Sequence, residues 1–298
     1  MKTISVNNLD CVELRNSTVS LLVTQSVGPR VISLSLQDGE NLFAQLPDTL
    51  IETPGQKPFH LYGGHRLWVA PEWPESSYIP DDDPVEITPI SGGISVLQRT
   101  EPTGIQKQLQ ITLPGDGAVI SLVHTLTNQG TKPVECAPWA ITQLRTGGVA
   151  ILPQYTGLAE NRYLPNRHLT LWPYADIRNP QVTWGNQYIF IQAQLKSGAF
   201  KLGFPNPRGW LAYWWQRTLF VKKAVFDPQA EYPDFNSSSE CYFNQSFLEL
   251  ETLGGVSSLS PGESVSHTEI WEIYRDVDFN LSEVSASQIV AELGLETE

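Results

Sequence analysis

The sequence predicts an all-β protein of two packed antiparallel sheets with one short helix near its C-terminus, and three observations carry that prediction. Apolar and polar residues alternate over many short segments, the period of a strand with one buried face. The 298 residues include 22 Gly and 22 Pro, a punctuation dense enough to break helices and close hairpins. Hydrophobic residues reach 41% and charged residues only 17%, against roughly 25% charged in typical soluble chains. Such a chain can bury a large core and falls outside the disordered class.

The elements follow in order. Residues 18–25 and 30–36 alternate around Gly28-Pro29 and read as two strands, the second closed by Gln37-Asp38-Gly39-Glu40-Asn41. Residues 105–113 alternate before Pro114-Gly115-Asp116-Gly117, and 118–126 before Asn128-Gln129-Gly130-Thr131. Residues 187–195 run into Lys196-Ser197-Gly198, 246–252 lead to Ser260-Pro261-Gly262-Glu263, and 265–274 form a last strand. About a dozen or more such segments are too many for one flat sheet, and two packed sheets are the physical solution. Ser285-Ala286-Ser287-Gln288 has capping-box spacing, Ile289, Val290 and Leu293 supply an apolar stripe, and Gly294 ends it. Neither a low-complexity linker nor a fixed-period repeat divides the chain, so one domain over residues 1–298 is expected.

Charge narrows the partners. There are 19 Lys and Arg against 32 Asp and Glu, a formal net charge of −13. With no basic stripe, the phosphate-driven binding of nucleic acid is disfavoured, and so are anionic membranes. No apolar run approaches the roughly 20 residues of a spanning helix. Residues 1–8 carry no apolar core of a secretory signal. Cys11, Cys136 and Cys241 are odd in number and far apart, which suits buried free thiols in a reducing compartment rather than disulfides or zinc. A cytoplasmic location is the expectation.

Four segments could carry chemistry. Gly63-Gly64-His65-Arg66-Leu67-Trp68, with Glu72 shortly after, offers a proton carrier, a donor fork, a stacking face and a carboxylate. The paired glycines imply a tight turn or a close backbone approach. An Arg66–Glu72 ion pair with Trp68 in the core is the bland alternative. In Leu248-Glu249-Leu250-Glu251, the period of two puts both carboxylates on one face, where mutual repulsion would raise at least one pKa. A solvated strand face would look the same. Asp234 lies in a polar loop leading into a strand. Trp139, Ile141 and Gln143 share a strand face, and aromatic platforms combined with polar groups suit the apolar faces and hydroxyl edges of sugars. Asp81-Asp82-Asp83 reads as a bounded acidic loop; Lys222-Lys223 could steer an anionic substrate, and the two point to opposite faces if that run is a strand.

These residues resemble the galactose mutarotase-like (aldose 1-epimerase-like) superfamily. Gly28-Pro29-Arg30-Val31-Ile32-Ser33-Leu34 resembles its opening hairpin. Leu126-Thr127-Asn128-Gln129-Gly130-Thr131-Lys132-Pro133 is similar to its mid-chain hairpin, and Leu250-Glu251-Thr252 with Ser260-Pro261-Gly262-Glu263 to its late strand and closing turn. The Gly63–Trp68 run, Ala70-Pro71-Glu72 and the stretch around Glu249 resemble one branch of that superfamily. The resemblance covers most of the chain in order and implies a β-supersandwich. It also implies a glutamate that takes the anomeric proton, matched by Glu251, and a histidine that protonates the ring oxygen. The strand where that histidine belongs reads Trp139-Ala140-Ile141-Thr142-Gln143 and has none, and Gln143 cannot transfer a proton at pH 7. His65 is the remaining candidate acid.

The resemblance and the residues together imply, as the expectation, a carbohydrate-binding protein with aldose 1-epimerase-like chemistry, Glu251 and His65 being the catalytic candidates. Arg66, Trp68, Glu72, Trp139, Gln143, Asp234 and Glu249 are expected around a small sugar or sugar derivative. Neither cofactor nor metal is expected, since ring opening needs only proton transfer. A sugar-binding or sensing protein without catalysis is the first alternative, and an oligosaccharide lyase or hydrolase the second.

Overall fold

The computed structural model describes residues 2–37, 39–157, 164–194 and 196–295. The turn residue Asp38 and the strand end Leu195 lie outside them. Two antiparallel sheets, of twelve and ten strands among the described residues, pack face to face. The alternating segments form their strands because each can bury one face. Ile105–Thr112, for instance, alternates between buried and half-buried positions without a break. The middle of the larger sheet runs Arg30–Leu36, Phe59–Ala70, Val134–Leu144, Leu248–Leu253, Ser239–Asn244, Ala199–Phe204.

Between the sheets lies the main core, with Val31, Leu202, Phe243 and Leu250 from the larger sheet meeting Leu122, Leu211, Phe220 and Trp271 from the smaller. Each such large apolar side chain contributes about 1.5–3 kcal/mol on burial. The helix Glu283–Leu293 covers the outer face of the smaller sheet, laying Ile289 and Val290 near Tyr188 and Trp210. It starts earlier than the capping-box spacing predicts. Ser282 is the cap, its side chain accepting from the Ser285 backbone N–H, while left-handed Gly294 ends the helix as expected.

The paired glycines serve a close backbone approach. At Gly63 and Gly64 φ is 91° and 73°, and an added Cβ would sit 2.0 Å from the Ala44 carbonyl oxygen and 2.2 Å from that of Val31. This lets Phe59–Ala70 pair with Gln45–Ile51 over one part of its length and with Arg30–Leu36 over another. The acidic loop is only partly solvated, because Asp81 is a buried partner of Arg30 at 2.8 Å. Among the described residues no helix is long and apolar enough to cross a membrane.

Candidate active site

Cross-strand register assembles one polar and aromatic face. Arg66 pairs with Ile141, which pairs with Glu251, and Gly64 pairs with Gln143, which pairs with Glu249. On the next strands Glu240 lies opposite Glu251, Tyr242 opposite Glu249, and Lys201 opposite Tyr242. With a period of two, these side chains share one side of the sheet, away from the main core. A cavity of about 300 Å³ opens over them. Trp68, Trp139, Tyr78, Tyr174, Tyr242 and Phe247 supply its aromatic lining, and Arg66, Glu72, Lys201 and Glu249 its charges. The Trp68 ring stands edge-on to Trp139 and Tyr78, with centroids at 5.4 and 4.8 Å.

Glu249 is the buried carboxyl of the cavity lining. Its Oε1 accepts from Gln143 Nε2 at 2.9 Å and from Arg66 Nη2 at 3.2 Å. The Arg66 guanidinium is held over the Trp68 ring at 4.3 Å. Burial raises the Glu249 pKa to about 7, with Arg66 opposing, so both protonation states are populated at neutral pH, as proton transfer requires.

Glu251 occupies a different environment although it projects from the same face. It is fully buried and does not line the cavity. Its Oε2 accepts from Trp139 Nε1 at 2.7 Å and from Lys201 Nζ at 3.0 Å. Lys201 Nζ also lies 2.6 Å from Glu240 Oε2, and it sits 4.5 Å from the ring centres of both Trp139 and Trp172. Burial alone would lower the lysine pKa, but Glu240 and Glu251 hold it well above its usual value. Lys201 is thus a fixed ammonium, not a nucleophile.

His65 and Glu251 are not brought together. His65 neighbours Arg66 on its strand and so points to the opposite side of the sheet, into the space between the sheets, where it is fully buried. The candidate pair of His65 and Glu251 acting on one ring is therefore corrected: strand alternation puts the sheet itself between them. His65 belongs to a closed polar cluster. Its Nε2 lies 2.7 Å from His124 Nε2 and its Nδ1 2.9 Å from Thr142 Oγ1. Since His124 Nδ1 meets the His267 carbonyl at 3.1 Å, it must donate there. His124 Nε2 then accepts from His65, and His65 Nδ1 accepts from the Thr142 hydroxyl. Burial lowers the pKa of both rings and takes that of His267 to about 4.

Lys222 closes this cluster. Its ammonium donates to the carbonyls of Ala140 and Leu250 and to Thr142 Oγ1 at 2.8–3.1 Å, and lies 2.8 Å from Glu269 Oε1. Burial favours a neutral Glu269, yet the adjacent Lys222 ammonium carries its pKa below the usual carboxylate range. His65, His124 and Glu269 are donors of metal-binding type within 4.8 Å of one another. The Lys222 ammonium already supplies the cation there. A lysine from the smaller sheet thus ties itself to carbonyls of the larger one.

The remaining expected residues are placed as follows. Glu72 is exposed at the cavity, and its Oε1 accepts the Tyr78 hydroxyl. Arg66 pairs with Glu249 and not with Glu72. Trp68 and Trp139 line the cavity, and Gln143 lies behind Glu249. Asp234 does not line it. It sits in a left-handed turn, its carbonyl accepting from Ser237 Oγ at 2.8 Å. Sequence reasoning missed Lys201, Tyr78 and Tyr174. Lys201 carried a signal, as a lone charge inside the apolar run Phe200-Lys201-Leu202. Tyr174 lies outside any regular element, where periodicity says nothing.

No protein-family model and no curated protein sequence matches the chain. Solved structures do. A galactose mutarotase-like protein from Lactobacillus casei superposes with a TM-score of 0.56 at 11% identity, covering 89% of this chain and 100% of that one. An Escherichia coli K12 protein described as a candidate aldose 1-epimerase gives 0.54 at 10% identity, covering 89% and 99%. A TPR-domain-containing protein from Parabacteroides distasonis gives 0.57 at 14% identity, covering 92% of this chain and 48% of that one. At such identities the likeness is one of architecture. The chain has the galactose mutarotase-like, or aldose 1-epimerase-like, fold.

Proposed function

We propose that the cavity binds a single sugar ring and that the protein opens and recloses that ring by proton transfer, with Glu249 as a proton carrier. The observation that carries this reading is Glu249 itself, a buried carboxyl held by Gln143 and Arg66 at an aromatic-lined cavity, where burial pushes its pKa up. Indole and phenol faces suit the CH faces of a pyranose, and the charged groups suit its hydroxyls. The likeness of fold to a protein described as galactose mutarotase-like supports the same class of ligand, although fold alone does not set activity. Isothermal titration with glucose, galactose and their phosphates, followed by polarimetry of anomer interconversion, tests it. Saturable binding with acceleration over buffer is expected, and the absence of binding overturns the reading.

A second reading is binding or sensing without catalysis. It is favoured by the lack of histidine among the described cavity-lining residues and by the engagement of Glu251 with Lys201 and Trp139. Binding without acceleration would select it.

A further inference from the structure

We infer that Glu72, oriented by Tyr78, is the second proton-transfer group of the cavity, acting as base while Glu249 acts as acid. The inference rests on the ring-opening reading above and deepens it. Ring opening at an anomeric centre needs one group that removes the hydroxyl proton and another that delivers a proton to the ring oxygen. Among the described residues, the only carboxyls lining the cavity are Glu72 and Glu249. Their surroundings differ in the way that separates an acid from a base. Glu249 is buried, 8% exposed, and held by Gln143 and Arg66. Glu72 faces solvent, and its Oε1 accepts from the Tyr78 hydroxyl.

Tyr78 is the fixed part of this arrangement. Its ring packs edge-on against Trp68 at 4.8 Å and Phe59 at 6.1 Å. The hydroxyl lies within the field of both carboxyls, Glu72 and Glu249, and of Arg66. It is a positioning residue, since burial and Glu72 raise its pKa and keep it a donor. Tyr174 lines the same cavity as Glu72 and Tyr78.

The step balances without any co-reactant. Glu72 takes the proton of the anomeric hydroxyl, the C1–O5 bond breaks, and its electron pair goes to O5, which takes the proton of Glu249. A C1 carbonyl forms, the open chain rotates about C1–C2, and the reverse transfers close the ring on its other face and restore both carboxyls.

The test combines anomer exchange, followed by NMR with glucose and galactose, with calorimetric sugar binding, for wild type, Glu72→Gln and Tyr78→Phe. For Glu72→Gln we expect the protein-dependent rate to fall about a hundredfold or more, with sugar affinity within a few-fold of wild type. For Tyr78→Phe we expect a smaller fall and an acid limb of the pH–rate profile moved to higher pH, because the carboxylate loses a donor; a merely structural role would leave that limb in place. A Glu72→Gln protein that keeps both rate and pH profile overturns the assignment while leaving the sugar site intact. Wild-type binding without exchange also overturns it. Failure of the wild type to bind either sugar removes the reading on which it rests.

Discussion

Arg66 Nη2 lies 3.2 Å from Glu249 Oε1 at the edge of the aromatic cavity, so a fixed cation opposes the effect of burial on this carboxyl. Burial pushes the Glu249 carboxyl up to about 7 and Arg66 opposes it. Replacing Arg66 with Met removes the opposing charge, so the Glu249 pKa should rise above 7. The corresponding limb of the pH–rate profile should move to more alkaline pH, and a profile unmoved by the substitution would show that Arg66 does not tune this carboxyl.

Lys201 should be a stability residue before it is anything else. Its ammonium separates two fully buried carboxyls, Glu240 and Glu251. Lys201→Met strands them, at a cost of about 3–5 kcal/mol, measurable as a lowered urea midpoint. Adding Glu240→Gln to that variant should recover part of the loss. Full additivity of the two substitutions would mean that the pair does not interact.

Lys222 and Lys223 make a controlled comparison. Lys222 is fully buried against Glu269 and three oxygen acceptors of the larger sheet, whereas Lys223 meets Glu272 on a part-exposed face. Lys222→Met should cost about 3–5 kcal/mol and Lys223→Met about 1 kcal/mol or less. Equal urea midpoints for the two variants would contradict the bridging role of Lys222.

The buried histidines predict an acid dependence with a definite sign. His267 is held neutral, with its pKa lowered from 6.5 to about 4 by burial. Its contribution is fully present above pH 6.5 and is lost as pH falls toward 4, because the unfolded chain takes the proton first. Comparing wild type with His267→Gln by urea unfolding, the stability gap should shrink by about 2 kcal/mol between pH 7.5 and pH 5. A gap that stays constant, or widens at pH 5, would mean that His267 is not buried neutral.

Much of the fold was legible, because two-residue alternation and Gly/Pro punctuation are local signals. The segments at 105–113 and 118–126 correspond to Ile105–Thr112 and Val119–Asn128. Placing Glu249 and Glu251 on one face needed only that alternation. Their different environments could not be read from spacing, since what separates them is Lys201, about fifty positions away, and a cavity lined from six strands and the segments that connect them. His65 shows the same limit from the other side. Its neighbour Arg66 reaches the cavity, and the same alternation that puts Arg66 there sends His65 into the inter-sheet space. The residues from irregular segments, Tyr78 and Tyr174, left no periodic trace.

The most direct test of the central claim is the rate of anomer exchange of a bound sugar in Glu249→Gln beside Glu251→Gln, each with its binding measured by calorimetry. The account predicts that Glu249→Gln still binds sugar and loses about a hundredfold or more of the protein-dependent rate. Wild-type exchange in Glu249→Gln, with the loss confined to Glu251→Gln, would contradict it.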